Sequence, residues 1–470
     1  MTLRGCVIGA GPNGLAAAIV LAQAGLSVDV FEAEPTPGGA ARTLELTLPG
    51  FLHDFGSAVH PLAAGSPFFS TLPLQQHGVE WIRSPAALAH PFDDGTAVTL
   101  ETNLDDAESA LGRDGRTWRK LMEPLARDWA ELASEVLGPV PLLPSHPWLL
   151  ARFGLKAVLP ARFLIRRLFR DERTKALFAG LAAHSFLSLD EPLSAAFGVL
   201  LGAAAHAVGW PIPRAGSQSI TNALCAHLAK CGGTITTSSR VDSLQSLPSY
   251  DVTICDVTPR QLLQLADKRL SQGYRRQLDK YRYGPGAFKV DYALRQTIPW
   301  TAVECFRAAT VHLGGSFEEI AISEAVMRSG RHAERPFVLL AQPSVFDSTR
   351  APEGRQTAWA YCHVPNGSTV DMLERVENQI ERFAPGFRHC ILARRVFGPA
   401  ALEKMDANLV GGDISGGAMG ISQFLFRPTW RQYATSAKDL YICSSSTPPG
   451  GGVHGMCGYH AAKLALSRFS

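Results

Sequence analysis

The feature that most restricts how this chain can fold is Gly9-x-Gly11-x-x-Gly14, because of what flanks it. The apolar run Cys6-Val7-Ile8 precedes the glycines and the helix-forming stretch Leu15 to Ala24 follows them. Gly25 stands where such a helix stops, and Ser27 to Glu32 reads as a second strand. The glycines alone carry little: with 43 glycines in 470 residues, chance supplies about 0.36 such matches. Indeed Gly450-x-Gly452-x-x-Gly455 also fits, too near the end for a β-α-β unit to follow it. Context separates the two. The first match sits between strand and helix, and Glu32 closes the next strand 18 residues beyond Gly14. Such a unit offers a tight turn, free N–H groups for a pyrophosphate and a carboxylate for both ribose hydroxyls. A dinucleotide site is expected here.

Composition narrows the remaining classes. The chain carries 45 basic and 42 acidic residues with no long block of one sign, which excludes a disordered chain and argues against nucleic acid as partner. Nine cysteines are scattered without a C-x-x-C pair, so neither a disulfide framework nor a metal site is expected. That pattern, with no leader-like segment before the first strand, points to a cytoplasmic protein. At about 150 residues per domain, two or three domain-sized units are expected.

Two stretches bear on membranes. Pro192 to Pro213 has no formal charge but is interrupted by Ser194, His206 and glycines; it reads as a helix buried in protein rather than a span. Arg152 to Arg170 holds six basic residues and no acidic one. It reads as a basic amphipathic helix with Arg162, Arg166 and Arg170 on one face, which is either an ordinary solvated face or a peripheral membrane contact.

Which dinucleotide follows from the loops. Pro37-Gly38-Gly39-Ala40-Ala41-Arg42-Thr43 and Phe51-x-x-Asp54-x-Gly56-Ser57 replace the regular β-α units that an NAD domain would continue with. Paired glycines let backbone lie against a flat ring, and Arg42 is placed to neutralise pyrophosphate or hold a ring carbonyl. Near the end, strand Leu440 to Cys443 runs through Ser444-Ser445-Ser446-Thr447-Pro448-Pro449 into a triple glycine and a last helix. A helix N-terminus aimed at a flavin would stabilise negative charge on the reduced ring. FAD is the expected cofactor.

With these motifs in hand, the chain resembles the phytoene desaturase-like FAD-dependent oxidoreductases, relatives of carotenoid oxidoreductases and, more distantly, of amine oxidases. The resemblance rests on GAGPNG at 9–14, PGGAART at 37–43, HDFGSAVHP at 53–61, GGTITTSSRVDSL at 232–244, NLVGGDISGG at 408–417 and SSSTPPGGGVHGMCGYHAA at 444–462. It implies an α/β fold: a Rossmann-like FAD-binding domain of the glutathione-reductase/amine-oxidase type with an inserted α+β substrate domain. The FAD-binding domain would take residues 1–75, 213–275 and 405–470, and the substrate domain 76–212 and 276–404. The resemblance also assigns roles. Gly9, Gly11 and Gly14 would hold pyrophosphate, Glu32 the ribose, Gly39 and Arg42 flavin or phosphate, and Val241 the adenine through its backbone. Gly455 and Met456 would lie beside the flavin. Pro12, Asn13, Ala40, Gly56, Ser57, His60, Ser445 and Val453 complete the expected cofactor contacts. Amine oxidases carry an acidic residue where Ser445 stands and paired glycines where this chain has Ala215-Gly216; both departures weigh against amine oxidation.

The reaction expected is hydride transfer between a substrate carbon and the flavin, with few acid–base groups. His454, His206 and His60 are the candidates to take a proton. Phe178, Phe186, Phe197 and Trp210 among alanines and leucines either wall a tunnel for an apolar, lipid- or polyene-like substrate or form an ordinary domain core. The reoxidant is left open between oxygen, a quinone and another carrier. Two alternatives stand: an amine-oxidase-like enzyme acting on C–N bonds, with aromatic residues caging the flavin, and an FAD-stabilised interaction protein with little turnover.

Overall fold

The computed structural model describes residues 2–140 and 143–469. Twelve of its strands build two sheets. In chain order they are β1 (Arg4–Ile8), β2 (Ser27–Phe31), β3 (Ala86–Pro91), β4 (Ala97–Glu101), β5 (Thr234–Thr236), β6 (Val252–Cys255), β7 (Gly286–Leu294), β8 (Ala308–Leu313), β9 (Val338–Ala341), β10 (Gln356–Val364), β11 (Ile391–Phe397) and β12 (Leu440–Ile442). The helices needed below are α1 (Pro12–Gln23), α2 (Pro147–Ala157), α3 (Ala161–Leu168), α4 (Glu172–Ala183), α5 (Ser194–Ala207), α6 (Leu373–Phe383) and α7 (Met456–Leu466).

The first sheet is parallel throughout, in the order β12–β6–β1–β2–β5. Its strands come from three separated stretches of chain. Long crossovers are what parallel pairing requires, and whole inserted segments serve as well as single helices. With α1 packed against α7, this is the expected Rossmann-like α/β unit.

The second sheet runs β11–β7–β10–β9–β8–β3–β4, antiparallel except for the β8–β3 pair. Strand alternation gives it two different faces. On one, Val290, Tyr292, Ala360, Cys362 and Leu340 pack against Val376, Ile380 and Phe383 of α6. On the other, two rungs cross neighbouring strands: Lys289–Tyr361–Leu339–His312 and Asp291–Trp359–Ala341–Thr310. That second face floors the cavities described below.

The basic segment differs from expectation. Arg152 to Arg170 is not one helix but two, α2 and α3, broken before Pro160, whose ring disfavours a helical predecessor and removes a donor. Arg162 pairs with Asp190 (2.8 Å) and Glu318 (2.6 Å), Arg166 also reaches Glu318 (2.9 Å), and Arg170 lies past the helix end. The three arginines therefore form no common basic stripe. Apolar side chains stand out from these helices instead: Trp148, Leu155 and Phe163 are 87%, 69% and 56% exposed. The uncharged stretch after Pro192 forms α5, largely buried, where Gly198 and Gly202 make room for Phe178 and Met122. No described helix is long and apolar enough to cross a membrane.

Candidate active site

Gly11 caps the N-terminus of α1, with Pro12 next to it. Gly9 holds φ +97°, and a Cβ on Gly14 would lie 2.0 Å from the Gly9 carbonyl oxygen. Only glycines let this helix sit so close to its strand. Beside them opens a cleft of ≈ 180 Å³ lined by Gly9, Gly11, Glu32, Arg42 and Val241. The Glu32 carboxylate is pinned by two backbone donors, Ala10 N–H (2.7 Å) and Glu34 N–H (2.9 Å), one on each oxygen. Each oxygen keeps a second lone pair. The buried Arg42 donates to the Gly39 (2.8 Å) and Met405 (2.6 Å) carbonyls and lies over Phe55. It lines this cleft, beside Glu32 and the β1–α1 turn, and not the next cavity.

The second cavity, ≈ 210 Å³, shares Gly11, Gly39, Asp256, Asp406 and Asn408 with the first. Pro12, Asn13, Ala40, Gly56, Ser57, Ser445 and Val453 all line it. Gly39 holds φ +52°, and a Cβ there would just touch the Cα of Gly11 at 3.5 Å. Asn13 Oδ1 is buried without a hydrogen-bond partner. A slot walled by backbone and unpaired polar groups fits a flat, polar-edged ligand. The third cavity, ≈ 260 Å³, shares Gly56, Ser57, Trp359, Tyr361 and Val453 with the second and is otherwise largely apolar, with Phe186, Phe197, Leu201 and Trp210 in its wall. The three run on as one cleft, from the β1–α1 turn to the face of the second sheet.

The three histidines fare differently. His60 lines the third cavity. Ser217 donates its hydroxyl to the Ser57 carbonyl, so the 2.7 Å contact between His60 Nε2 and Ser217 Oγ is donated by the histidine. His60 Nδ1 is then the unprotonated nitrogen, and burial pulls the ring's pKa down to about 4. His206 is spent: Nε2 accepts from Trp118 Nε1 (2.8 Å) and Nδ1 donates to the Thr102 carbonyl (3.1 Å), away from the cleft. His454 does not line the cleft either. Its Nδ1 accepts the Met456 N–H (3.1 Å), its backbone carbonyl accepts the Ser66 hydroxyl (2.7 Å), and the buried ring lies behind Gly452 of the glycine loop with Nε2 unpartnered. Gly455 and Met456 follow it inward: a Cβ on Gly455 would strike Phe69 at 2.5 Å. The last loop meets the second cavity through Gly452 and Val453 instead.

Sequence reasoning missed four groups. Lys289 lines the second cavity, 4% exposed, paired with Asp291 on the same strand face and 5.4 Å from the Trp359 ring. Burial lowers its pKa, while Asp291 opposes that shift. Behind it stand His53 (3.7 Å from Asp291) and the buried Asp54–Arg350 pair. Asp256, at the end of β6, accepts the Gly14 N–H (2.9 Å), and burial pushes its carboxyl up to about 8. Trp359 and Tyr361, stacked at 24°, come from one strand and form one wall. Arg427, 1% exposed, donates to the Ser445 (2.8 Å) and Gly416 (3.0 Å) carbonyls and ties two cavity loops together. The Lys289–Asp291 signal was in the sequence, as two ionisable residues two apart in the apolar strand GAFKVDYAL.

The fold and cleft define a Rossmann-like nucleotide domain that opens onto an apolar cavity, and comparison with known proteins agrees on that domain. Residues 7–70 match the NAD(P)-binding Rossmann-like domain. The chain is 26% identical to the rat (Rattus norvegicus) protein named pyridine nucleotide-disulfide oxidoreductase domain-containing protein 2, over 98% of this chain and 92% of that one. It is 24% identical to a lycopene-forming phytoene desaturase of Pantoea ananas, over 98% of both chains. Putrescine oxidase bound to putrescine has the same fold, with TM-score 0.62 and 16% identity over 100% of this chain and 99% of that one. The chain is thus similar along its length to a protein named phytoene desaturase, and its fold is shared with putrescine oxidase.

Proposed function

We propose that the protein is an FAD-dependent oxidoreductase of the desaturase or dehydrogenase kind, transferring hydride between a carbon of an apolar substrate and the flavin. One observation carries the reading: a continuous cleft leads from a pinned ribose-type carboxylate, Glu32, past a backbone-walled slot, to an apolar cavity. FAD, when bound, supplies a two-electron acceptor. The chain's own residues do the rest. Free N–H groups at the start of α1 and the Arg42 charge face the phosphates. Gly39, Ala40, Gly56 and Ser57 give the ring a backbone-lined berth. Trp359 and Tyr361 hold substrate against it and exclude water. Lys289, backed by Asp291, holds a proton at its Nζ where the slot meets the sheet, and His60 Nδ1 is the acceptor on the third cavity's wall.

Reoxidation by oxygen, a quinone or another carrier completes the cycle, and the exposed apolar rim of α2 and α3 serves as a peripheral membrane contact. The test is anaerobic. Protein reconstituted with FAD is mixed with polyenes, acyl thioesters and amines while absorbance near ~450 nm is followed. Bleaching by an apolar carbon donor supports the reading, and a flavin that no donor bleaches overturns it in favour of an interaction protein. A second reading, oxidation of C–N bonds, is favoured by the aromatic pair Trp359–Tyr361 at the slot and predicts bleaching by amines with peroxide release in air.

A further inference from the structure

The apolar cavity is not apolar at its far wall. Thr310 lies on the rung Asp291–Trp359–Ala341–Thr310, two strands beyond Trp359, and its side chain lines the cavity. It is 6% exposed and its Oγ1 has no hydrogen-bond partner. Trp359, 8% exposed, has a buried Nε1–H that is equally unpartnered. Leaving such buried groups unpaired is costly, so the wall is built for something that completes it.

His184 adds a third polar group. It lines the cavity, and its Nε2 lies 3.2 Å from Nε2 of His312, the residue two beyond Thr310 on β8. Burial keeps both rings neutral, so each carries one proton. His312 Nδ1 is buried without a partner and faces Gly180 of α4. A proton there would be an orphaned buried donor, the costlier arrangement. His312 therefore donates through Nε2, and His184 keeps its own proton on Nδ1. Trp359 Nε1, His184 Nδ1 and the Thr310 hydroxyl are three donors with no acceptor assigned to them.

We propose that the cavity selects an apolar substrate bearing one hydrogen-bond-accepting oxygen, a carbonyl or hydroxyl, seated against Thr310 and His184. The oxygen is an anchor and not the reacting group. Three strand spacings, about 14 Å, separate the strand of Lys289 from that of Thr310, so the carbon oxidised at the slot is remote from it. Binding energy gained at such a remote group is what positions the reacting carbon. A plain hydrocarbon would leave the donors unsatisfied. The proposal rests on reading the cleft as an oxidoreductase site, and deepens it.

The test is calorimetric titration of the FAD-loaded protein with two ten-carbon probes, butylbenzene and 4-phenylbutan-2-one, which differ by the ketone oxygen. Thr310→Val is expected to weaken the ketone roughly tenfold and to leave butylbenzene within twofold. Thr310→Ser, which restores the hydroxyl, is expected to recover the ketone, and His184→Phe to mimic the valine. A ketone affinity unchanged in Thr310→Val and His184→Phe, or an equal loss for both probes, overturns the anchor and leaves the cleft's assignment standing. If neither probe binds the wild type, the anchor falls, while the cleft's assignment still turns on whether a donor bleaches the flavin.

Discussion

Single residues decide how this cleft carries its charges. Asp256 keeps a carboxyl beside the start of α1, where a phosphate is expected, and burial pushes it up to about 8. Unfolded, such a group titrates near ~3.9, so between those values the folded chain holds more protons than the unfolded one. Stability of the FAD-free protein should therefore fall as pH rises from about 4 to beyond 8. Asp256→Asn, which preserves an acceptor for the Gly14 N–H, should flatten that slope in urea titrations at pH 5, 7 and 9. Lys289 gives a second prediction. Lys289→Met strands the buried Asp291 and should cost about 3–5 kcal/mol of unfolding free energy, most of it regained in Lys289→Met/Asp291→Asn. Both variants should retain FAD and reduce it some 10²-fold more slowly or worse in stopped-flow traces. Glu32 and the glycines were legible in the sequence because their roles depend on spacing along one short unit. Asp256 and Thr310 were not, because Asp256 meets Gly14 from 242 residues away and Thr310 belongs to a cavity wall that no local pattern encodes.

At the level of elements, the β1–α1–β2 unit could be drawn almost to its boundaries: Gly11 starts the helix, Gly25 lies just past its end, and Glu32 follows the second strand. Two glycines there make a contrast. Gly14→Ala forces a methyl against the Gly9 carbonyl and should cost about 1–3 kcal/mol, with loss of bound FAD by absorbance. Gly25→Ala meets nothing within 4 Å but must hold φ +88°, so it should cost about 1–2 kcal/mol and leave the flavin in place. The basic segment was misread because charge counting ignored Pro160 and the partners that the fold delivers, Glu318 and Asp190. What α2 and α3 present outward is Trp148, Leu155 and Phe163 with the exposed Arg152 and Arg167 near them. Cosedimentation with anionic vesicles should drop several-fold in Trp148→Ser/Leu155→Ser, and absence of any difference would remove the membrane contact.

Across the whole molecule, the second sheet was the least legible part. Its strands alternate between a core face and a cavity face, but β7 is buried on both, so residues such as Tyr361 and Leu339 read simply as core until the register sets them in a row. The first sheet has the opposite character. Its middle strand β1 comes from the start of the chain, and its edge strand β12, with the glycine loop and α7 after it, comes from the end. A ribosome therefore releases the nucleotide-binding half long before the strand, loop and helix that finish its wall. The groove therefore stays open on the ribosome until residues 440–466 have been made and can close over the β1–α1 turn.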